Sequence, residues 1–164
     1  MSDKIRHRDA SGMRSIVVQQ GSNAMAVVIL AHNKKLSVKW LRFPVIGIEA
    51  LDQAHQELLD QLNTFKALLS EGCDPAIAAE RLRGLRTWFG HHFTDEERRM
   101  LMSGYPDTAD HLAAHQKLIT GLLLSTSFDP DGQEGFDLDA LITWEAQHIN
   151  RFDRPMAEYL LNRE

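Results

Sequence analysis

From Ile48 to the C-terminal end, apolar residues recur every three to four positions and polar residues fill the remaining faces, a period that predicts four amphipathic helices. The first is expected near Ile48 to Leu69, on Leu51, Leu58, Leu59, Leu62, Phe65 and Leu69. Gly72 ends it, and Asp74-Pro75 restarts the chain as an N-cap followed by proline at the first helical position. The second carries Ala79, Leu82, Leu85, Trp88, Phe93 and Met100 and stops at Gly104 and Pro106. Asp107 or Thr108 caps the third, which runs through Leu112, Leu118, Ile119 and Leu122 to about Ser125. Phe128-Asp129-Pro130-Asp131-Gly132 is turn chemistry, and a fourth helix begins near Asp137 and continues through Leu141, Trp144, Ile149, Met156 and Leu160. Short connections between four long helices predict an all-α fold, an antiparallel up-down-up-down four-helix bundle.

Residues 1–47 show neither a long period nor enough apolar residues for a second core, and residues 1–36 are expected to be an N-terminal extension to a bundle domain at 37–164. Ser22-Asn23-Ala24 before Met25 resembles a tag-cleavage scar, so residues 1–24 are either vector-derived or a native extension. The stretch 32–47, with Trp40, Phe43 and Pro44, is expected to be an arm lying along the bundle.

The 164 residues and 43% hydrophobic content suit one compact domain with a real core. A net charge of -5, from 18 Lys+Arg against 23 Asp+Glu, leaves no electrostatic footprint for nucleic acid. Cys73 is the only cysteine, which excludes an internal disulfide and suits a reducing compartment. No apolar run approaches the roughly 18 residues of a membrane span, and no signal-peptide core follows Met1-Ser2-Asp3-Lys4. A cytoplasmic location is expected, with no membrane and no nucleic-acid partner.

The chemistry lies in His55, then His92 with Glu96, then His111 with His115, then His148 with Asp153, one set on each expected helix. Helical residues four apart lie about 40° apart around the axis, so His92/Glu96 and His111/His115 each aim two ligands at one point. Imidazole suits iron in either oxidation state, and two carboxylates with an oxo or hydroxo bridge offset the charge of two buried cations. One such histidine alone is more often a surface or hydrogen-bonded core residue, but the full set in this order is hard to produce by accident. A single tetrahedral zinc would leave several of these groups without a role. A ferritin-like carboxylate site needs two E-x-x-H motifs, and only Glu145-x-x-His148 fits that pattern.

These segments, Leu51-Asp52-Gln53-Ala54-His55, His92-Phe93-Thr94-Asp95-Glu96-Glu97 with Met100, His111-Leu112-Ala113-Ala114-His115, and Trp144 through His148-Ile149 to Asp153, resemble the single-domain bacterial hemerythrins from about Trp40 onward. The resemblance implies a non-haem di-iron centre that binds O2 reversibly, for storage, transport or delivery, rather than an enzyme. It implies that His111, His115 and His148 hold one iron and His55 and His92 the other, with Glu96, Asp153 and an oxo or hydroxo group bridging them. The iron with two histidines then keeps the open position for O2. A di-iron redox enzyme consuming O2, peroxide or nitric oxide is the alternative. The protein that would receive O2 is not indicated.

Helical register proposes the walls of the O2 pocket: Leu58, Phe93, Trp144 and Ile149. His91 is read as facing away from the site, and Glu97 and Asp95 as a solvated face from which either side chain orients a ligand histidine. Glu145 stands where the family usually has an apolar residue after the tryptophan, and it is the candidate modulator of the site. The cost of burying a carboxylate favours a solvent-facing side chain there. The five-residue step from His148 to Asp153 turns a regular helix about 140° past a full turn, so the two ligands would not share a face. Pro155 cannot donate to the carbonyl of Arg151, and a kink or π-bulge is therefore expected between them.

Overall fold

The computed structural model describes residues 3–8, 14–19, 26–32, 35–123 and 138–163. The expected cleavage scar at 22–24, the turn at 128–132, the end of the third helix at Ser125 and the start of the fourth at Asp137 lie outside them. Two compact units divide the chain, Met1–Asn63 and Thr64–Glu164.

The first unit opens with a four-stranded antiparallel meander in the order β1 (Asp3–Arg8), β2 (Arg14–Gln19), β3 (Ala26–His32) and β4 (Lys35–Arg42). Ile16 stands opposite Arg6 on one neighbour and Ile29 on the other, Trp40 stands opposite Val27, and the register slips between Ala26 and Val27. The extension expected at 1–36 thus carries strands, and the first part of the arm expected at 32–47 is the fourth strand of their sheet. Val17-Val18 and Val27-Val28-Ile29 are β-branched and suit strands, yet runs of six to eight residues are too short to establish a period against the long helical pattern that follows.

After Gly47, whose φ of 93° needs a residue without Cβ, α1 runs from Glu49 to Glu71. The Asp52 carboxylate accepts hydrogen bonds from the backbone of Ile46 at 2.8 Å and Gly47 at 3.0 Å, fixing the entry to the helix. Leu51, Leu58, Leu59, Leu62 and Phe65 are buried as the period predicted, Leu69 is half-buried, and His55 is buried among them.

The second unit is helical. Asp74 caps α2 (Pro75–Ser103) by accepting from the Ala76 amide, and Gly104, at φ 68°, closes it in the left-handed conformation. The third helix, α3 (Thr108–Leu118), passes into a π-helical turn at Ile119–Leu123. Asp107 makes no side-chain cap to it, and the Thr108 hydroxyl donates to the Tyr105 carbonyl instead. The last helix is α4 (Leu138–His148), a π-helical turn at Ile149–Asp153 and α5 (Arg154–Leu161). Its junctions keep right-handed helical angles, so the three pieces form one continuous rod. The helical part is an all-α bundle, as the hydrophobic period requires. Tyr159 of α5 donates to the Gly104 carbonyl at 3.1 Å and meets Tyr105 edge-on, tying the end of the last helix to the α2–α3 corner. No helix among the described residues is long and apolar enough to cross a membrane.

Candidate metal centre

On α2 the residues Phe89, His92, Phe93, Glu96 and Met100 are buried at helical spacing, so the polar pair His92/Glu96 lies within the apolar stripe. One turn separates them and brings His92 Nε2 to 3.3 Å from Glu96 Oε1. On α3, His111 and His115 are likewise one turn apart and buried. The last helix contributes His148 and Asp153. The Arg154 amide donates to the Ile149 carbonyl five residues back, and this wider turn carries Asp153 onto the face of His148, with Asp153 Oδ1 at 3.1 Å from His148 Nε2. A regular α-helix would hold them apart.

These side chains converge. His148 Nε2 lies 3.0 Å from His111 Nε2 and 3.1 Å from His115 Nε2. Asp153 Oδ1 is 3.0 Å from His111 Nε2, and Glu96 Oε2 is 3.2 Å from His115 Nε2. Three imidazole nitrogens facing one another, fringed by two carboxylates, form a constellation of lone pairs. Separations near 3 Å match adjacent ligand atoms around one octahedral ion with bonds of about 2.1 Å. Glu96, His111, His115 and His148 thus form one group fit to hold a cation.

A second group lies on the other side of Glu96. Its Oε1 faces His92 while its Oε2 faces His115, so one carboxylate presents an oxygen to each side. Near His92, within 4.8 Å between ligand atoms, is Glu145. Glu145 is fully buried, at 0% exposure. This corrects the solvent-facing expectation: the tryptophan before it takes the half-exposed position, and α4 turns the carboxylate inward. His55 and Leu58 are fully buried on α1, in the first unit.

The charges explain the protonation of the metal-free site. Burial disfavours the imidazolium of His92, but the Glu96 charge and hydrogen bond, with Glu145 and Asp153 beyond, raise it to about 9. Burial and the Asp153 charge work against ionised Glu96, yet His92 and His115 prevail and hold it near 2. Burial, reinforced by Asp153 and Glu96 and only partly offset by His92, pushes Glu145 well above the usual carboxylate range. Burial outweighs Asp153 and lowers His148. Glu96 and His148 thereby already hold the ionised carboxylate and neutral imidazole that a cation binds, while His92 and Glu145 hold protons that cations would displace.

Aromatic rings cover the imidazoles. Phe93 stacks on His115 at 3.8 Å and 9°, Trp144 on His148 at 4.7 Å and 15°, and Trp88 on His92 at 4.7 Å and 22°. Phe93 and Ile149 are buried, while Trp144 is half-exposed and lines a surface cleft of about 620 Å³ with Lys117, Arg151 and Phe152. A second cleft, of about 530 Å³, reaches Phe93, His115 and Glu97 between α2 and α3. Glu97 Oε1 meets His115 Nδ1 at 3.1 Å, which makes Nδ1 the donor and leaves Nε2 as the ligand atom. Asp95 instead pairs with Arg98 and Arg99 at the surface, and His91 is exposed.

Trp88, expected as core packing, stacks instead on a ligand histidine, and Glu145, expected outside, is buried. The tryptophan carried a legible signal, since Trp88-x-x-x-His92 repeats as Trp144-x-x-x-His148 and one helical turn stacks the rings.

The model of the hemerythrin HHE cation-binding domain matches residues 46–160. The chain belongs to the hemerythrin family. Searches of curated proteins and of solved structures gave no match. In hemerythrin terms, α2, α3 and the last helix bring together His92, Glu96, His111, His115, His148 and Asp153, a buried cluster able to hold metal ions. Glu145 is buried beside them, in a position that the hemerythrin pattern does not assign.

Proposed function

We propose that the protein holds two iron ions and binds O2 reversibly, as a cytoplasmic store or delivery agent rather than an enzyme. The observation that carries this reading is the convergence of His111, His115 and His148 on Asp153 and Glu96, with the second oxygen of Glu96 turned to His92. His111, His115 and His148 hold one ion in this proposal. By the hemerythrin pattern His92 and His55 would hold the other, and Glu96 and Asp153 would supply carboxylate oxygens to both. Bound iron supplies the electrons that O2 binding requires. Phe93, Ile149 and Trp144 keep water and anions from the pair, and Glu97 holds His115 in its ligating tautomer. The partner is O2.

The test is the visible spectrum of the iron-loaded, reduced protein before O2, after O2 and after the gas is removed. Charge-transfer bands that appear with O2 and vanish on its removal are expected. The absence of any band overturns the di-iron reading. One-way passage to the ferric spectrum favours a second reading, a di-iron redox enzyme consuming O2, peroxide or nitric oxide. The buried Glu145 is the observation that supports that second reading.

A further inference from the structure

We infer that Glu145 is a protein ligand to the metal ion held by His92 and occupies the position through which a small exogenous ligand enters, so that binding there displaces the Glu145 carboxylate. The inference rests on the two-metal reading proposed above.

Three observations carry it. Glu145 is fully buried, and neither carboxylate oxygen has a hydrogen-bond partner among the described residues. A buried carboxyl group without a partner is costly, and native proteins seldom keep one unless something binds it. Second, its ligand atom lies within 4.8 Å of that of His92, on the side of Glu96 away from the three-histidine group. Third, Glu145 and His148 are three residues apart on α4, about 4.5 Å along the axis on neighbouring faces. That rise is close to the roughly 3.5–4 Å between paired metal ions, so Glu145-x-x-His148 places one ligand on each ion of the pair. The same carboxylate in a site with only histidines and bridges fills a vacancy. A neutral, space-filling leucine there would leave that vacancy open.

The experiment uses the diferric protein and azide, a small anion that binds open ferric positions, followed by its charge-transfer band. Iron content is measured by elemental analysis and helix content by circular dichroism. Wild type is expected to bind azide at least tenfold more weakly than Glu145→Ala, with Glu145→Gln between them and two irons per chain in all three. Equal affinities with two irons per chain overturn the inference and leave the two-metal reading standing. Fewer than two irons in wild type overturn both. Should the substitutions lose metal or helix content, the unmutated protein decides: a metal-loaded crystal structure with a Glu145 oxygen at about 2.0–2.2 Å from the ion upholds the assignment, and one with both oxygens beyond 3 Å overturns it.

Discussion

At the scale of single residues the site works through side chains that orient or charge their neighbours. Glu97 is partly exposed, yet its bond to His115 Nδ1 selects the tautomer that offers Nε2 to a metal. Glu97→Gln should therefore lower metal affinity by about 10- to 100-fold while keeping stoichiometry, as read by competition with a coloured chelator. Unchanged affinity would show that the imidazole is held by Phe93 stacking alone. The metal-free site also has a pH signature. His92 is raised to about 9, so its contribution to stability is complete below about 6.5 and is lost as pH rises through 9. Glu96 is depressed to about 2, so its contribution is complete above about 4.5 and is lost only as pH falls through 2. Burial raises Glu145, which favours folding while that acid is neutral and therefore also weakens the fold as pH rises. The chelated protein should melt at a higher temperature at pH 6 than at pH 9.5, and the reverse order in a thermal scan would contradict these assignments.

Among the elements, the π-helical turn Ile149–Asp153 is the one on which the site depends. It behaves as one residue inserted into a helix, and it lets a five-residue step from His148 to Asp153 do what four residues do in a regular α-helix. The Asn150 side chain donates to the Ala146 carbonyl at 3.0 Å, supporting the backbone where the ladder changes. Pro155, two residues past the turn, has no amide to return the Arg151 carbonyl to the α pattern. Deleting the exposed Arg151 should convert the segment to regular α-helix with His148 and Asp153 four apart. Metal stoichiometry should survive, because the two ligands still share a face. Inserting an alanine after Asn150 should instead abolish binding of one ion. Elemental analysis of both variants checks the pair of outcomes, and loss of metal in the deletion alone would overturn the geometric account.

For the whole molecule, the buried acids and histidines make the folded chain a template for cations that the unfolded chain cannot offer. Metal held at about a thousand times its dissociation constant stabilises such a fold by about 4 kcal/mol, which for a chain of this size corresponds to about 8–16 °C in melting temperature. Removing metal with a chelator should lower the midpoint of thermal unfolding by at least that range while leaving most helical circular dichroism at 20 °C. A midpoint insensitive to chelation would mean that the cluster is not a metal centre.

The helices and the positions of the ligand types were legible in the sequence, because a helix repeats every 3.6 residues and local spacing alone determines which residues share its face. Thus His92 pairs with Glu96, and His111 with His115, on spacing alone, and the misfit of His148 with Asp153 pointed to a π-bulge where the last helix has its wide turn. The strands at Asp3–Arg42 were not legible, since short strands draw their stability from neighbours rather than from their own period. The turn of Glu145 was not legible either. Local chemistry argues for solvent at that position, and only the packing of α4, which sets this face of the helix beside His92, turns the carboxylate inward. Sequence by itself determined which residues could act as ligands, because that depends on chemical type and helical register. Tertiary structure alone decided which of them meet and which acid joins them, because convergence depends on how separate helices pack.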